Sequence, residues 1–110
     1  MRTVFWEDGK VKMIDQRRLP GALDVVAYEG HRQVAEAIRA MVVRGAPAIG
    51  AAAAFGLALA ARESGASQRD EQLADLEAAA GRLRAARPTA VNLGWALDRV
   101  LAGLRRESAQ

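Results

Sequence analysis

Arg44-Gly45-Ala46-Pro47-Ala48-Ile49-Gly50, continuing as Ala51-Ala52-Ala53-Ala54-Phe55-Gly56-Leu57-Ala58-Leu59-Ala60-Ala61, is the stretch around which the chain must fold. Pro47 lacks a backbone N–H and has a preset φ, which suits the first helical position and little else in a helix. No charge follows until Arg62. Apolar residues surround the whole circumference, so a helix from Pro47 to near Glu63 is expected to be the central, most buried element. Its mouth admits two readings. A helix N-terminus offers free N–H groups and partial positive charge, which favour an anion. Gly45 lets a ligand approach the backbone and Arg44 adds a bidentate fork, so the run reads as a phosphate site. An ordinary helix start with a solvated arginine accounts for the same residues.

Outward from this helix the periodicity is helical on both sides. Val34, Ile38, Met41 and Val42 share a face of a helix over about 32–43. After the loop Ser64-Gly65-Ala66-Ser67, Ser67 with Asp70 or Glu71 reads as a capping start, and Leu73, Leu76, Ala80 and Leu83 form the buried stripe of a third helix. Pro88 separates it from a fourth, in which Leu93, Leu97, Val100, Leu101 and Leu104 share a face. The polar end Arg105-Arg106-Glu107-Ser108-Ala109-Gln110 is expected to fray. Before the helices, Thr3–Trp6 and Val11–Asp15 read as strands joined by Glu7-Asp8-Gly9-Lys10, since Asp-Gly is a strong hairpin signal. Leu19-Pro20-Gly21 marks a turn. Asp24–Tyr28 reads as a third strand, antiparallel to one of the first two. The expected class is α+β, mostly α: a small three-stranded antiparallel sheet over 1–30, too small for its own core, followed by a four-helix assembly over 31–110.

The helix mouth has a counterpart. Arg87-Pro88-Thr89-Ala90-Val91-Asn92-Leu93 again sets an arginine and a proline before an apolar-periodic run. Two such mouths converging on one phosphate would form a clamp, each charge-assisted hydrogen bond contributing roughly 1.5–3 kcal/mol.

Composition narrows the classes. The 110 residues suffice for one domain, and 51% hydrophobic content is globular, not disordered. Only 5% is aromatic, so small and aliphatic groups must fill the core, with Trp6 and Trp95 as its expected anchors. The pI of 10.2 overstates basicity, because the net charge is +3 and arginine supplies nearly all the cations. Mixed charge without basic blocks or aromatic interleaving argues against nucleic acid. The absence of cysteine excludes a disulfide framework, a thiolate metal site and a cysteine nucleophile within this chain. The beginning turns acidic at once, unlike a secretory signal. The apolar run from Gly45 to Ala61 makes a helix of about 25 Å, short of a hydrocarbon core of about 30 Å, so no membrane span is expected and the cytoplasm is the default compartment.

Other chemistry is sparse. His31 stands at a helix entry, where a cap or surface role is expected. Glu7/Asp8 falls in a hairpin turn and Asp70/Glu71 in a helix's first turn, so both pairs read as structural. Asp15-Gln16 closes a strand with local hydrogen bonding. No cluster has metal-ligand spacing.

Four stretches carry a family resemblance: Val11-Lys12-Met13-Ile14-Asp15-Gln16 with Leu19-Pro20; Val43 to Gly50; Ala54 to Ala60; and Arg87 to Leu93 with Trp95-Ala96-Leu97. Together they resemble the N-terminal domain of the methylthioribose-1-phosphate isomerases, in the wider group that includes regulatory subunits of eukaryotic initiation factor two B. The opening hairpin favours the isomerase branch. The resemblance implies an aldose–ketose isomerase of methionine salvage, converting 5-methylthioribose 1-phosphate into 5-methylthioribulose 1-phosphate without metal or organic cofactor, as a homodimer. It implies that Arg44, Gly45, Ala46 and Arg87 hold the sugar phosphate. The family's catalytic cysteine and aspartate come from a further Rossmann-like domain. The chain is therefore expected to be the N-terminal domain of a larger isomerase, partnered by that C-terminal domain and inactive alone, with no catalytic residue of its own. The alternative within the group is a domain that senses a sugar phosphate or nucleotide without turnover, and a third reading is a helical interaction domain that binds no ligand.

Overall fold

The computed structural model describes residues 3–18 and 20–108. Three strands, β1 (Val4–Glu7), β2 (Lys10–Ile14) and β3 (Val25–Tyr28), precede four helices, α1 (His31–Arg39), α2 (Ala46–Glu63), α3 (Arg69–Ala86) and α4 (Val91–Ser108), with a 3-10 turn at Gln16–Arg18. This is the expected mostly helical α+β architecture. Leu19 of the expected turn and the last two residues lie outside the described set.

Asp8 and Gly9 both take positive φ (56° and 73°), the geometry of the tight hairpin turn that matches strand twist. The turn fixes the register Glu7↔Lys10 through Val4↔Met13, and β3 pairs antiparallel on the other side of β2, Val11 facing Tyr28. Strand alternation then turns Val11 and Met13 inward, both fully buried, and sends Lys12 outward to Glu7.

α2 sits at the centre, touching both β1 and β2 as well as all three other helices, as its uniform apolarity requires. Its small residues permit close approach: a methyl on Gly56 would lie 3.1–3.2 Å from Leu83 and Val34. Leu76, Leu83, Leu93, Leu97 and Leu101 close the core from α3 and α4. No helix among the described residues is long and apolar enough to cross a membrane.

Several local expectations fail, each for a physical reason. α1 ends at Arg39, not near Val43. Met41 takes φ 64°, its N–H donates to Ile38 O (3.2 Å), and the Val42 N–H donates to Ala37 O (3.0 Å). This paired closure is a Schellman motif with methionine where glycine is usual. It leaves Met41 exposed, although its spacing placed it on the buried face, and folds Val42 and Val43 into the core. Left-handed backbone costs a side-chain-bearing residue about 1–2 kcal/mol. Burying two valines, at about 1.5–3 kcal/mol each, offsets it. Ser67 does not cap α3; Gln68 holds that position without a side-chain bond, while Ser64 donates to Asp75 (2.7 Å). Pro47 is the second, not the first, residue of α2. α4 continues through Arg105, which bonds Glu77, so the polar end is helical as far as Ser108.

Neither tryptophan anchors the core. Trp95 is 61% exposed, because the stripe Leu93, Leu97, Leu101 puts position 95 on the opposite face of α4. Trp6 lies at the rim, its ring 6.2 Å from that of Phe55 and beneath the Arg62 guanidinium.

Candidate anion-binding site

The approach to Arg44 is fixed from the end of β2. The buried Asp15 carboxylate accepts from the Arg17 backbone N–H (3.0 Å), Nε (2.9 Å) and Nη2 (2.8 Å). This fork, the local bonding expected of Asp15, raises the Arg17 pKa and shapes the turn. Within the turn the Gln16 N–H donates to Val42 O (2.8 Å). The segment after α1 is therefore held at Val42 by a hydrogen bond and at Val42 and Val43 by burial. The next two residues, Arg44 and Gly45, emerge into solvent.

Gly45 is the N-cap of α2, with φ 90° and ψ 137°. A methyl there would meet nothing within 4 Å, so the requirement for glycine is one of backbone conformation alone. Its carbonyl accepts the first helical bond, from Ile49 N (2.9 Å), and no side chain caps the start. Ala46 is exposed directly above it.

The second mouth follows α3. Arg87, half-buried, ends that helix, and its carbonyl accepts from the Ala90 N–H (3.0 Å), turning the chain into α4. Between α2 and α4 the close approach is at Gly50: a methyl on it would lie 3.6 Å from Asn92 O and 3.7 Å from the Ala96 methyl. The second turn of α2 thus lies against the beginning of α4, and these two helices form the most extensive contact among the described elements. Among the described residues neither Arg44 nor Arg87 forms an ion pair.

His31 departs from the expected cap or surface role. It is the buried first residue of α1. Its backbone N–H donates to Glu63 Oε1 (2.6 Å), and its Nδ1 lies 3.0 and 3.2 Å from the two Glu63 oxygens. Its Nε2 lies 3.2 Å from Arg82 Nη1. A carboxylate only accepts and a guanidinium only donates, so Nδ1 carries the proton and Nε2 accepts. The ring is thereby occupied on both sides and has no lone pair free to act as a base. Burial pushes the Glu63 carboxyl up, but the His31 N–H and ring, with Arg32, outweigh it and hold the carboxyl below its ordinary value. No local spacing signals this cluster, since its members stand on three helices. No group of three or more metal-ligating side chains is gathered among the described residues.

The sequence profile of the Initiation factor 2 subunit family matches residues 42–110, which include both arginine mouths. The chain is 52% identical over 102 residues to the methylthioribose-1-phosphate isomerase of Desulforudis audaxviator, covering 93% of this chain and 29% of that protein. It is 53% identical over 98 residues to the enzyme of the same name from Trichormus variabilis, covering 89% and 28%. Among solved structures, 5-methylthioribose 1-phosphate isomerase from Pyrococcus horikoshii superposes with a TM-score of 0.94 at 49% identity, covering 99% of this chain and 31% of that one. The delta subunit of translation initiation factor eIF-2B from A. fulgidus gives 0.86 at 46% identity, covering 93% and 30%. The chain therefore spans about three tenths of the length of the relatives it matches.

Proposed function

Because the chain belongs to the Initiation factor 2 subunit family, we propose that it is the N-terminal substrate-holding domain of an isomerase that converts 5-methylthioribose 1-phosphate into 5-methylthioribulose 1-phosphate. The observation that supports this reading is the start of α2, which no side chain caps, where Arg44, without an ion pair among the described residues, and positive-φ Gly45 lead into a helix that packs on α4 at Gly50. Arg44, Gly45, Ala46 and Arg87 bind the substrate phosphate, with both guanidinium groups on one anion. Backbone N–H groups at the helix start need no reorganisation to receive it, and the arginines supply charge-assisted bonds.

Hydrogen transfer between adjacent sugar carbons needs an acid and a base. Arg44 and Arg87 cannot serve, since a guanidinium stays protonated. His31 cannot, since both ring nitrogens are engaged. The division of labour follows: this domain binds and orients, and acid–base groups elsewhere in the complete protein, including a cysteine this chain does not have, perform the transfer. The complete protein acts in the cytoplasm as a homodimer, and this domain alone does not turn over substrate.

The match to an eIF-2B delta subunit favours a second reading, in which the same anion site senses a phosphorylated metabolite without turnover. Arg44→Ala in the complete protein separates the outcomes. On the isomerase reading it weakens substrate binding by about 1.5–3 kcal/mol, roughly ten- to 150-fold, while the protein stays folded. Wild-type affinity in that variant would overturn the site. Wild-type protein that binds sugar phosphate but never isomerises it would favour the sensor.

A further inference from the structure

A second basic concavity lies between α1 and α3, apart from the residues assigned above. It is a cleft of about 340 Å³ with a floor of Ala35, Ala85 and Ala86. Arg32, Glu36 and Arg39 rise from α1 and Arg82 from α3 around it. Arg39 is neutralised by Glu36 one turn back. Arg32 and Arg82 form no ion pair among the described residues, and although Arg32 lies near enough to Glu63 to be felt by its carboxyl, the rim keeps an excess of positive charge.

Arg82 is also held in place. Its Nη1 donates to His31 Nε2, whose opposite nitrogen is fixed by Glu63. The acceptor is a neutral ring, so the bond orients the guanidinium without cancelling its charge. A carboxylate in the same position would have done both. An oriented, un-neutralised guanidinium over methyl groups is suited to an anion that carries an apolar body.

We propose that this α1–α3 cleft binds a small phosphomonoester, its dianion between Arg32 and Arg82 and its organic part on the alanine floor. The volume accommodates a compact ring or short chain beyond the phosphate. The site is independent of the Arg44/Arg87 reading, which failure here would leave standing.

The test is a titration of the full chain with phenyl phosphate, followed through backbone amide shifts. The expected result is a saturable response at Ala35, Ala85 and Ala86, distinct from any at Gly45 and Ala46. Arg32→Gln and Arg82→Gln should each weaken binding about tenfold, the glutamine amide at 82 keeping a donor for His31. Inorganic phosphate should bind the cleft more weakly than phenyl phosphate, since it makes no use of the floor. The proposal is overturned if the response is confined to Gly45 and Ala46, if Arg32→Gln leaves affinity unchanged, or if inorganic phosphate binds the cleft as well as phenyl phosphate. A cleft that stays silent to millimolar phenyl phosphate also overturns it.

Discussion

Gly45→Ala isolates what the helix mouth demands of its backbone. At φ 90° and ψ 137° the residue occupies a region that side-chain-bearing residues rarely adopt, at about 1–3 kcal/mol. Steric clash contributes nothing, because an added methyl would have no neighbour within 4 Å. Alanine restricts the unfolded chain by about 0.4–1 kcal/mol in the opposite direction. The net expectation is a loss of about 1–2 kcal/mol. For a domain of this size that lowers Tm by about 4–10 °C. Urea unfolding followed by circular dichroism measures the loss, and Gly65→Ala is the matched control. Position 65 is equally open but outside the positive-φ range, so the control should be neutral or slightly stabilising. The chain has one escape, relaxing the peptide at Gly45 to negative φ, which would re-aim Arg44 and the N–H groups of the mouth. Phosphate affinity must then fall even where stability is spared. A Gly45→Ala variant that keeps both its unfolding free energy and its phosphate affinity would refute the argument that this backbone geometry is required.

Three further changes probe other parts of the fold. Met41→Gly should stabilise by up to about 1 kcal/mol, relieving a left-handed methionine at the usual entropic cost of glycine, and would appear as a higher urea midpoint at constant slope. Leu97→Ala should cost about 2–5 kcal/mol and Trp95→Ala below about 1 kcal/mol, the reverse of what residue size alone predicts; equal losses would contradict the packing. The Glu63 carboxyl is held below its ordinary value of 4.5, so its contribution is complete above that pH and is lost as pH falls through the lower folded value. The stability gap between wild type and Glu63→Gln should therefore shrink below about pH 4.5, and solvent screening of this part-exposed group keeps the gap under about 1 kcal/mol.

The elements that could be read from the chain are those whose signals are local. Asp8-Gly9 dictates its turn, Pro47 its helix start, and the leucine spacing of α3 and α4 their buried faces. The exposure of Trp95 is equally local, because its spacing from Leu93 puts it outside the buried face whatever its size. The end of α1 has no such local signal. Nothing marks Met41 for left-handed backbone, which is imposed by burial of Val42 and by a hydrogen bond from Gln16, more than twenty residues upstream. His31, Glu63 and Arg82 escape for the same reason, since their partnership exists only once three helices have packed. At the candidate site, both arginines and the two mouths were legible from proline placement. The packing of α2 on α4 beside them, Gly50 against Asn92, is a contact between helices that no spacing encodes.

α2, α3 and α4 each contain eighteen residues. At 1.5 Å per residue each is about 27 Å long. A chain that must start two helices at the same end has to travel out along one, return along the next, and begin again. α3 is the return leg: Leu83 packs against Gly56 on the way back, and Arg87 follows about one turn later, toward the end from which α2 starts. In this sense α3 works as a ruler. Its residue count sets how far back Arg87 comes: removing a single turn would draw it about 5.4 Å away from that end.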